Sequence, residues 1–341
     1  MAAQFQLFCW KPTKQVTKVH GQQHLFGAGR RCSLVDVIAM LAPGQGSQTP
    51  GMLGPWLELA GAADRLALWS KASGLDLVTL GTTATAEEIT DTSITQPLVV
   101  AAALLAYEEL ESRGVIPADA IIAGHSVGEL AAAAIAGVIT ADEAVTLAAI
   151  RGAEMAKACA LEATGMSAVL GGDEAEVLAR LAELDLIPAN RNAAGQIVAA
   201  GKLDALAELA ANPPEKARVR PLPVAGAFHT SYMAPAQDAV TAAAAKITPT
   251  DPTRTLLSNF DGEPVASGAD ALTKLAAQVT RPVRWDLCTA TIRNAQVSAI
   301  TELPPAGALI GIAKRELRGT PTLALKVPAD ITALVELEGF G

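Results

Sequence analysis

Ala120-Ile121-Ile122-Ala123-Gly124-His125-Ser126-Val127-Gly128-Glu129-Leu130-Ala131-Ala132-Ala133-Ala134 is the stretch whose reading decides the fold. Its first four residues form a short apolar run with the length of a buried strand. Its last six are strong helix formers. Between them Gly124-x-Ser126-x-Gly128 lets the backbone bend sharply and lets neighbouring chain approach. Strand, glycine-flanked turn and helix make a nucleophile elbow. The Ser126 hydroxyl is then exposed at the carboxyl end of a strand. The free N–H groups of a helix N-terminus lie beneath it and favour a developing anion.

The surrounding chain has 341 residues, 50% of them apolar. That suffices for one large core, or for a core with a smaller inserted or appended domain. The net charge is −9, which argues against a nucleic-acid surface. Cys9, Cys32, Cys159 and Cys288 contain no C-x-x-C, and the chain has only four histidines. Neither a metal site nor a disulfide framework is expected, and a reducing, cytoplasmic setting fits. The longest apolar runs, around residues 98–106 and 130–138, are too short to span a bilayer. They read as buried helices, and no membrane partner is expected.

Residues 1–34 stand apart. They carry Lys11, Lys14, Lys18, Arg30 and Arg31 and no acid, so the acidic balance falls on the rest of the chain. They lack hydrophobic periodicity and a signal-peptide core. A basic, acid-free segment hints at a transit peptide, but Ser33 is its only serine. A disordered or non-native N-terminal extension is the expectation, with folded chain from about Val35.

Val37-Ile38-Ala39-Met40-Leu41 reads as a first buried strand, broken at Pro43-Gly44-Gln45-Gly46. Helices are expected over 56–70 and from Pro97 to Gly114. After the elbow helix, Thr140-Ala141-Asp142-Glu143 has capping-box spacing and opens a helix to about 160. The rhythm then changes. Strand 166–170, helix 173–184, strands 186–188 and 196–200, helix 203–211 and strand 219–224 give a ferredoxin-like order. From His229 the larger pattern returns. Helices are expected over 234–246, 269–278 and 308–317, and strands over 255–258, 297–302 and 322–326.

A serine is a weak nucleophile without a base. His20 and His24 lie in the detached N-terminal segment, and His125 is bonded to Ser126 itself. His229 remains as the candidate general base, against the alternative of a satisfied core histidine. An acid between serine and histidine at a strand end is not evident. Asp142, Asp173, Asp185 and Asp204 sit in caps or helices. This argues against an ordinary esterase triad and for a Ser–His dyad, its imidazole oriented by a backbone carbonyl or an amide.

An ordered set of motifs extends this reading. It comprises Gly44-Gln45-Gly46-Ser47-Gln48, Gly124-His125-Ser126-Val127-Gly128-Glu129, Arg151-Gly152 with Met155, and Gly226-Ala227-Phe228-His229. Ser258-Asn259 with Gly262, and Gln278 with Pro282-Val283-Arg284-Trp285, complete it. Over about residues 35–330 the chain resembles the malonyl-CoA:acyl-carrier-protein transacylases. These are stand-alone acyltransferases of dissociated fatty-acid and polyketide synthesis. The Ala-rich, Lys-poor composition is similar to that of actinobacterial proteins.

The resemblance implies roles. Ser126 attacks the malonyl thioester of malonyl-CoA and His229 takes its proton. The N–H groups of Gln45 and Val127 form an oxyanion hole. Arg151, on the second helix after the elbow, holds the free malonyl carboxylate. Its small or apolar neighbours Ala148, Ala149, Ile150 and Gly152 agree with burial and a need for an anionic partner. The backbone carbonyl of Gln278 orients the histidine; a helix-terminal polar residue is the alternative. Phe228 is the bulky neighbour of malonyl-selective members. Met155 lines the same pocket or is core. Asn190 and Asn192 match a pair near the acyl-carrying arm, although such pairs mostly mark turns. Glu129 caps or braces the elbow. Arg281, Arg284, Lys314 and Arg315 are candidates for a basic rim facing an acidic, phosphopantetheinylated acyl carrier protein, or ordinary solvated charges.

The expected architecture is α/β: a hydrolase-like parallel-sheet core with the elbow, and an inserted ferredoxin-like small subdomain. Residues 35–163 and 225–341 form the large part and 164–224 the small, with the site in the cleft between them. A monomer without bound cofactor is expected. Another extender unit such as methylmalonyl-CoA, a polyketide carrier, a serine esterase or thioesterase, and a silent carrier-binding module are the alternatives.

Overall fold

β1 (Ile38–Ala42) is buried at every position, so it must be covered on both faces and paired on both edges. The computed structural model describes residues 37–337 and shows how this is met. The expected N-terminal extension lies outside the described residues. After β1 the chain runs through a 3-10 turn (Gly54–Glu58), α1 (Ala62–Ser73), α2 (Leu77–Thr82) and α3 (Thr92–Ser112). β2 (Ile121–Gly124), α4 (Gly128–Ile135) and α5 (Ala141–Cys159) follow. Then come β3 (Thr164–Gly171), α6 (Glu174–Glu183), β4 (Ile187–Ala193), β5 (Gln196–Lys202), α7 (Leu203–Ala211) and β6 (Ala217–Pro221). The chain continues with α8 (Ala234–Ala244), β7 (Thr255–Leu256), α9 (Gly268–Ala277) and α10 (Trp285–Asn294). β8 (Ala299–Glu302), α11 (Ala308–Glu316), β9 (Thr322–Ala324) and α12 (Asp330–Val335) complete the described chain.

Five strands form a parallel sheet in the order β7-β2-β1-β8-β9. The chain leaves β1 towards β2 on one side and returns as β8 on the other. β1 is therefore a topological switch point, and a crevice opens outside the carboxyl ends of β1 and β2. Ala42 pairs with Gly124, so the Pro43-Gly44-Gln45-Gly46 loop and the elbow leave the sheet side by side.

The second sheet is antiparallel, in the order β4-β5-β3-β6 with a βαββαβ chain path. Side chains alternate across it. Val169, Ile197 and Ala199 pack on Val177 and Leu181 of α6 and Leu206 and Leu209 of α7. Met166, Val198 and Ala200 face the other way, onto Met155 of α5 and Phe228. This second face makes one wall of the crevice.

The elements depart from their sequence-based expectations in five places. The helix expected over 56–70 is split, because Gly61 adopts φ +81° and separates the 3-10 turn from α1. α3 begins at Thr92, not at Pro97. The Asp91 side chain caps it by accepting from Ser93 N, and Pro97 lies inside a helix buried along most of its length. β4 continues to Ala193 through its pairing with β5, so Asn190 and Asn192 sit on a strand, not in a turn. β6 is displaced to Ala217–Pro221 as an edge strand, where a proline is tolerated. α10, which buries Trp285, Cys288 and Ile292, carries a periodicity the sequence reading left unassigned. Among the described residues, no helix is long and apolar enough to cross a membrane.

Candidate active site

The elbow is held by close backbone approach. A Cβ on Gly124 would lie 2.1 Å from Gly128 O, and one on Gly128 would lie 2.3 Å from Ala42 O. Ser126 adopts φ 54° in the left-handed region, a costly conformation for a residue with a side chain. Asn259 pins both arms of the turn. Its Oδ1 accepts from Ser126 N at 2.8 Å, and its Nδ2 donates to Gly124 O at 2.7 Å.

His229 also has a left-handed backbone, φ 61°. Its loop is fastened to β3 by Ala227 N donating to Thr164 Oγ1 at 3.0 Å. Nδ1 lies 2.9 Å from Gln278 O, which can only accept, so Nδ1 carries the proton. Nε2 is then the bare nitrogen, and it accepts from Ser126 Oγ at 2.7 Å. The imidazole is 3% exposed. Burial, and secondarily the charge of Arg151, push its pKa down to about 3. It is a neutral base at physiological pH, oriented by a carbonyl and not by a carboxylate.

Arg151, on α5, is 2% exposed. Nη1 donates to Gln96 Oε1 at 2.6 Å; Nη2 donates to Gln278 Oε1 at 3.0 Å and to Ser126 Oγ at 3.3 Å. Its direct side-chain acceptors are two amides and a hydroxyl. Burial lowers its pKa to about 10, partly offset by the more distant Glu129. Glu129 is itself 4% exposed and pushed up to about 7 by burial. Its Oε1 accepts from Asn259 N at 3.0 Å and its Oε2 accepts from Gln278 Nε2.

These groups open into a cleft of about 310 Å³. Gly44, Gln45, Met155, Met166, Asn190, Asn192 and Phe228 line it together with Ser126, Arg151 and His229. A Cβ on Gly44 would lie 2.6 Å from His125 O, which shows how closely the β1 loop rides against the elbow. Among the described residues, the N–H groups of Gln45 and Val127 donate to no protein acceptor. Both remain available to an anion. His125 turns away from Ser126. Its Nε2 meets Asn192 Oδ1 at 2.9 Å and its ring meets Trp285 edge-on at 5.5 Å. Of the basic residues considered for a rim, Arg284 pairs with Asp286 at 2.8 Å and Arg315 donates to Gln196.

The structure thus gathers Ser126, His229, Arg151, Gln45, Met155, Phe228, Asn190 and Asn192 around one cleft, with Val127 next to Ser126 in the chain and Gln278 bonded to both Arg151 and His229. Sequence reasoning missed Gln96, which the expected helix start at Pro97 left out, and the two-sided bonding of Asn259. Gln96 reaches Arg151 because Gly152 lets α5 approach α3 closely. A Cβ there would lie 2.7 Å from Thr92 O.

Residues 40–328 match the acyl transferase domain family. The chain belongs to that family. A malonyl CoA-acyl carrier protein transacylase of Mycolicibacterium smegmatis is 71% identical over 290 residues, covering 84% of this chain and 100% of the relative. One of the same name from Mycobacterium tuberculosis is 68% identical over 302 residues, covering 88% and 100%. The crystal structure of MCAT from Mycobacterium tuberculosis superposes with a TM-score of 0.86 at 68% identity, over 88% of this chain and 100% of that one. The serine, histidine and arginine of this acyltransferase therefore stand in a fold shared with enzymes named for acyl transfer to a carrier protein.

Proposed function

We propose that the protein transfers the malonyl group of malonyl-CoA to the phosphopantetheine thiol of an acyl carrier protein in fatty acid biosynthesis. The observation that carries the reading is Arg151. A buried guanidinium, paired directly with no carboxylate among the described residues, lies 3.3 Å from the candidate nucleophile. Such a charge is costly unless an anion completes it, and a malonyl thioester brings a carboxylate close to its reacting carbonyl.

Ser126 Oγ attacks the thioester carbonyl as its proton passes to His229 Nε2. The tetrahedral oxyanion is received by the N–H groups of Gln45 and Val127. Collapse breaks the C–S bond, His229 returns the proton to the departing coenzyme A sulfur, and malonyl-Ser126 remains. The pantetheine thiol then attacks that ester, giving its proton to His229. The second collapse frees Ser126, which recovers the proton. Every bond change is served by these groups, so the cycle needs no bound cofactor. Residues 35–163 with 225–341 supply the nucleophile and base, while residues 164–224 supply Asn190 and Asn192 on the opposite wall. The working form is a cytoplasmic monomer; the free thiols of Cys159 and Cys288 fit a reducing compartment.

The test is to incubate the protein briefly with malonyl-, methylmalonyl- or acetyl-CoA, add carrier protein and weigh both products. A malonyl increment on Ser126 that passes to the carrier is expected. Hydrolysis outpacing transfer, or equal use of acetyl-CoA, would overturn the reading.

A further inference from the structure

Glu129 is a fully enclosed carboxylate that the proposed transfer cycle does not use. It stands one amide away from Arg151. Gln278 presents Oε1 to Arg151 Nη2 at 3.0 Å and Nε2 to Glu129 Oε2. The chemistry of the two neighbours fixes which way this amide faces. A guanidinium has only donors, so it needs the amide oxygen; an ionised carboxylate has only acceptors, so it needs the amide nitrogen. The other glutamine on Arg151 lacks such an anchor. Among the described residues, Gln96 Nε2 meets only the Met155 sulfur, at 3.6 Å, a weak acceptor.

We infer that Glu129 is a positioning residue for acyl-group selectivity: through the Gln278 side-chain amide it aims the Arg151 guanidinium at an incoming carboxylate. The arrangement stabilises the arginine without occupying it. A carboxylate in direct contact would neutralise the guanidinium and compete with the substrate. Placed behind an amide, its ionised form lends charge at a distance and leaves Arg151 open to an anion. Glu129 is held for this purpose by Asn259 N at 3.0 Å and lies in the first turn of α4, where a negative charge is favoured. The path to selectivity uses the Gln278 side chain. The path to His229 uses the Gln278 backbone carbonyl, at 2.9 Å. The two are separable.

Glu129→Gln tests this. The new amide keeps an oxygen for Asn259 N but turns a donor towards Gln278 Nε2. Two donors face each other, and Gln278 must rotate or withdraw, taking its oxygen from Arg151. Acylation of Ser126 by malonyl-CoA is expected to fall about tenfold or more, chiefly as a rise in KM, while acylation by acetyl-CoA stays within about threefold. In the Arg151→Ala background, Glu129→Gln is expected to leave the malonyl-to-acetyl ratio unchanged. A parallel loss with both acyl groups, or an undiminished effect without Arg151, overturns the inference. Should Glu129→Gln not fold, Glu129→Gln with Gln278→Met is compared with Gln278→Met alone, where no donors confront. Equal ratios support the inference, and a further ratio change overturns it. The inference rests on malonyl recognition by Arg151, which has its own control. If Arg151→Ala leaves the wild-type preference intact, that reading fails; if the preference is lost but Glu129→Gln acts on both acyl groups alike, only the inference fails.

Discussion

Ser126 Oγ lies 2.7 Å from His229 Nε2, and both residues hold a left-handed backbone, φ 54° and φ 61°. Two such conformations meeting at one hydrogen bond mean that the surrounding structure fixes the pair and the pair's own preferences do not. Asn259 does this for Ser126, and the Thr164 and Gln278 contacts do it for His229.

The base is neutral well into acid. With its pKa pushed down to about 3, the unprotonated fraction of His229 hardly changes between pH 8 and pH 5. Acylation by acetyl-CoA, whose acyl group offers Arg151 no carboxylate, should therefore be flat across that range. Quenched reactions weighed at short times would show it. A half-maximal rate near pH 6.5 would mean an ordinary solvated imidazole.

The same burial has a cost in stability. Below about pH 6.5 the unfolded chain binds a proton at His229 that the folded chain refuses until about pH 3. That contribution makes the fold weaker as pH falls through this window. Glu129 works in the opposite sense. Burial holds its pKa at about 7, above the ordinary carboxylate value of about 4.5, so it favours the fold increasingly as pH drops from 7 to 4.5. The two offset each other in wild type. His229→Gln removes the first, so the stability of wild type relative to the variant should decline by about 1 kcal/mol per pH unit below 6.5. Urea unfolding of both proteins at three pH values measures it.

Arg151 separates acyl groups by charge. Arg151→Ala should lower malonyl transfer about a hundredfold, equivalent to about 3 kcal/mol, and neutral acyl groups much less. Arg151→Lys should recover little of this. An ammonium cannot keep Gln96 Oε1 and Gln278 Oε1, 2.6 and 3.0 Å away on separate nitrogens, while also offering two parallel bonds to a carboxylate. Initial rates with malonyl- and acetyl-CoA decide it, and a lysine variant with near-wild-type malonyl rate would contradict the geometry.

The elbow was legible because its information is local: an apolar run, two glycines and a helix-forming run lie in one stretch. His229 was legible through scarcity, since the chain offers few histidines. The βαββαβ order was legible from alternating periodicities. What escaped was long-range. Gln96 meets Arg151 across 55 residues, and Gln278 meets Glu129 across 149. No pattern along the chain encodes a meeting set by how α3 lies on α5. The start of α3 escaped for a different reason: Pro97 signals a first turn by its own chemistry, yet the Asp91 cap and the burial of the flanking turns outweigh it.

That α3–α5 contact yields the last prediction. Gly152 sits beside Arg151, where a Cβ would come within 2.7 Å of Thr92 O, 3.2 Å of Ser93 Cα and 3.3 Å of Gln96 Cβ. Two of the three atoms are backbone and cannot rotate aside. Gly152→Ala must therefore push the helices apart, at a cost of about 1–3 kcal/mol. The shift also draws Arg151 away from Gln96, so malonyl acylation should fall more than acetyl acylation. Gly124→Ala offers the contrast. Its Cβ would lie 2.1 Å from Gly128 O and 2.4 Å from Glu129 N, inside the elbow itself. That variant should lose Ser126 acylation with every acyl group. Thermal unfolding and paired acylation rates for the two variants test both statements. If Gly152→Ala lowers both acyl groups equally, the helix contact supports the fold without tuning the arginine.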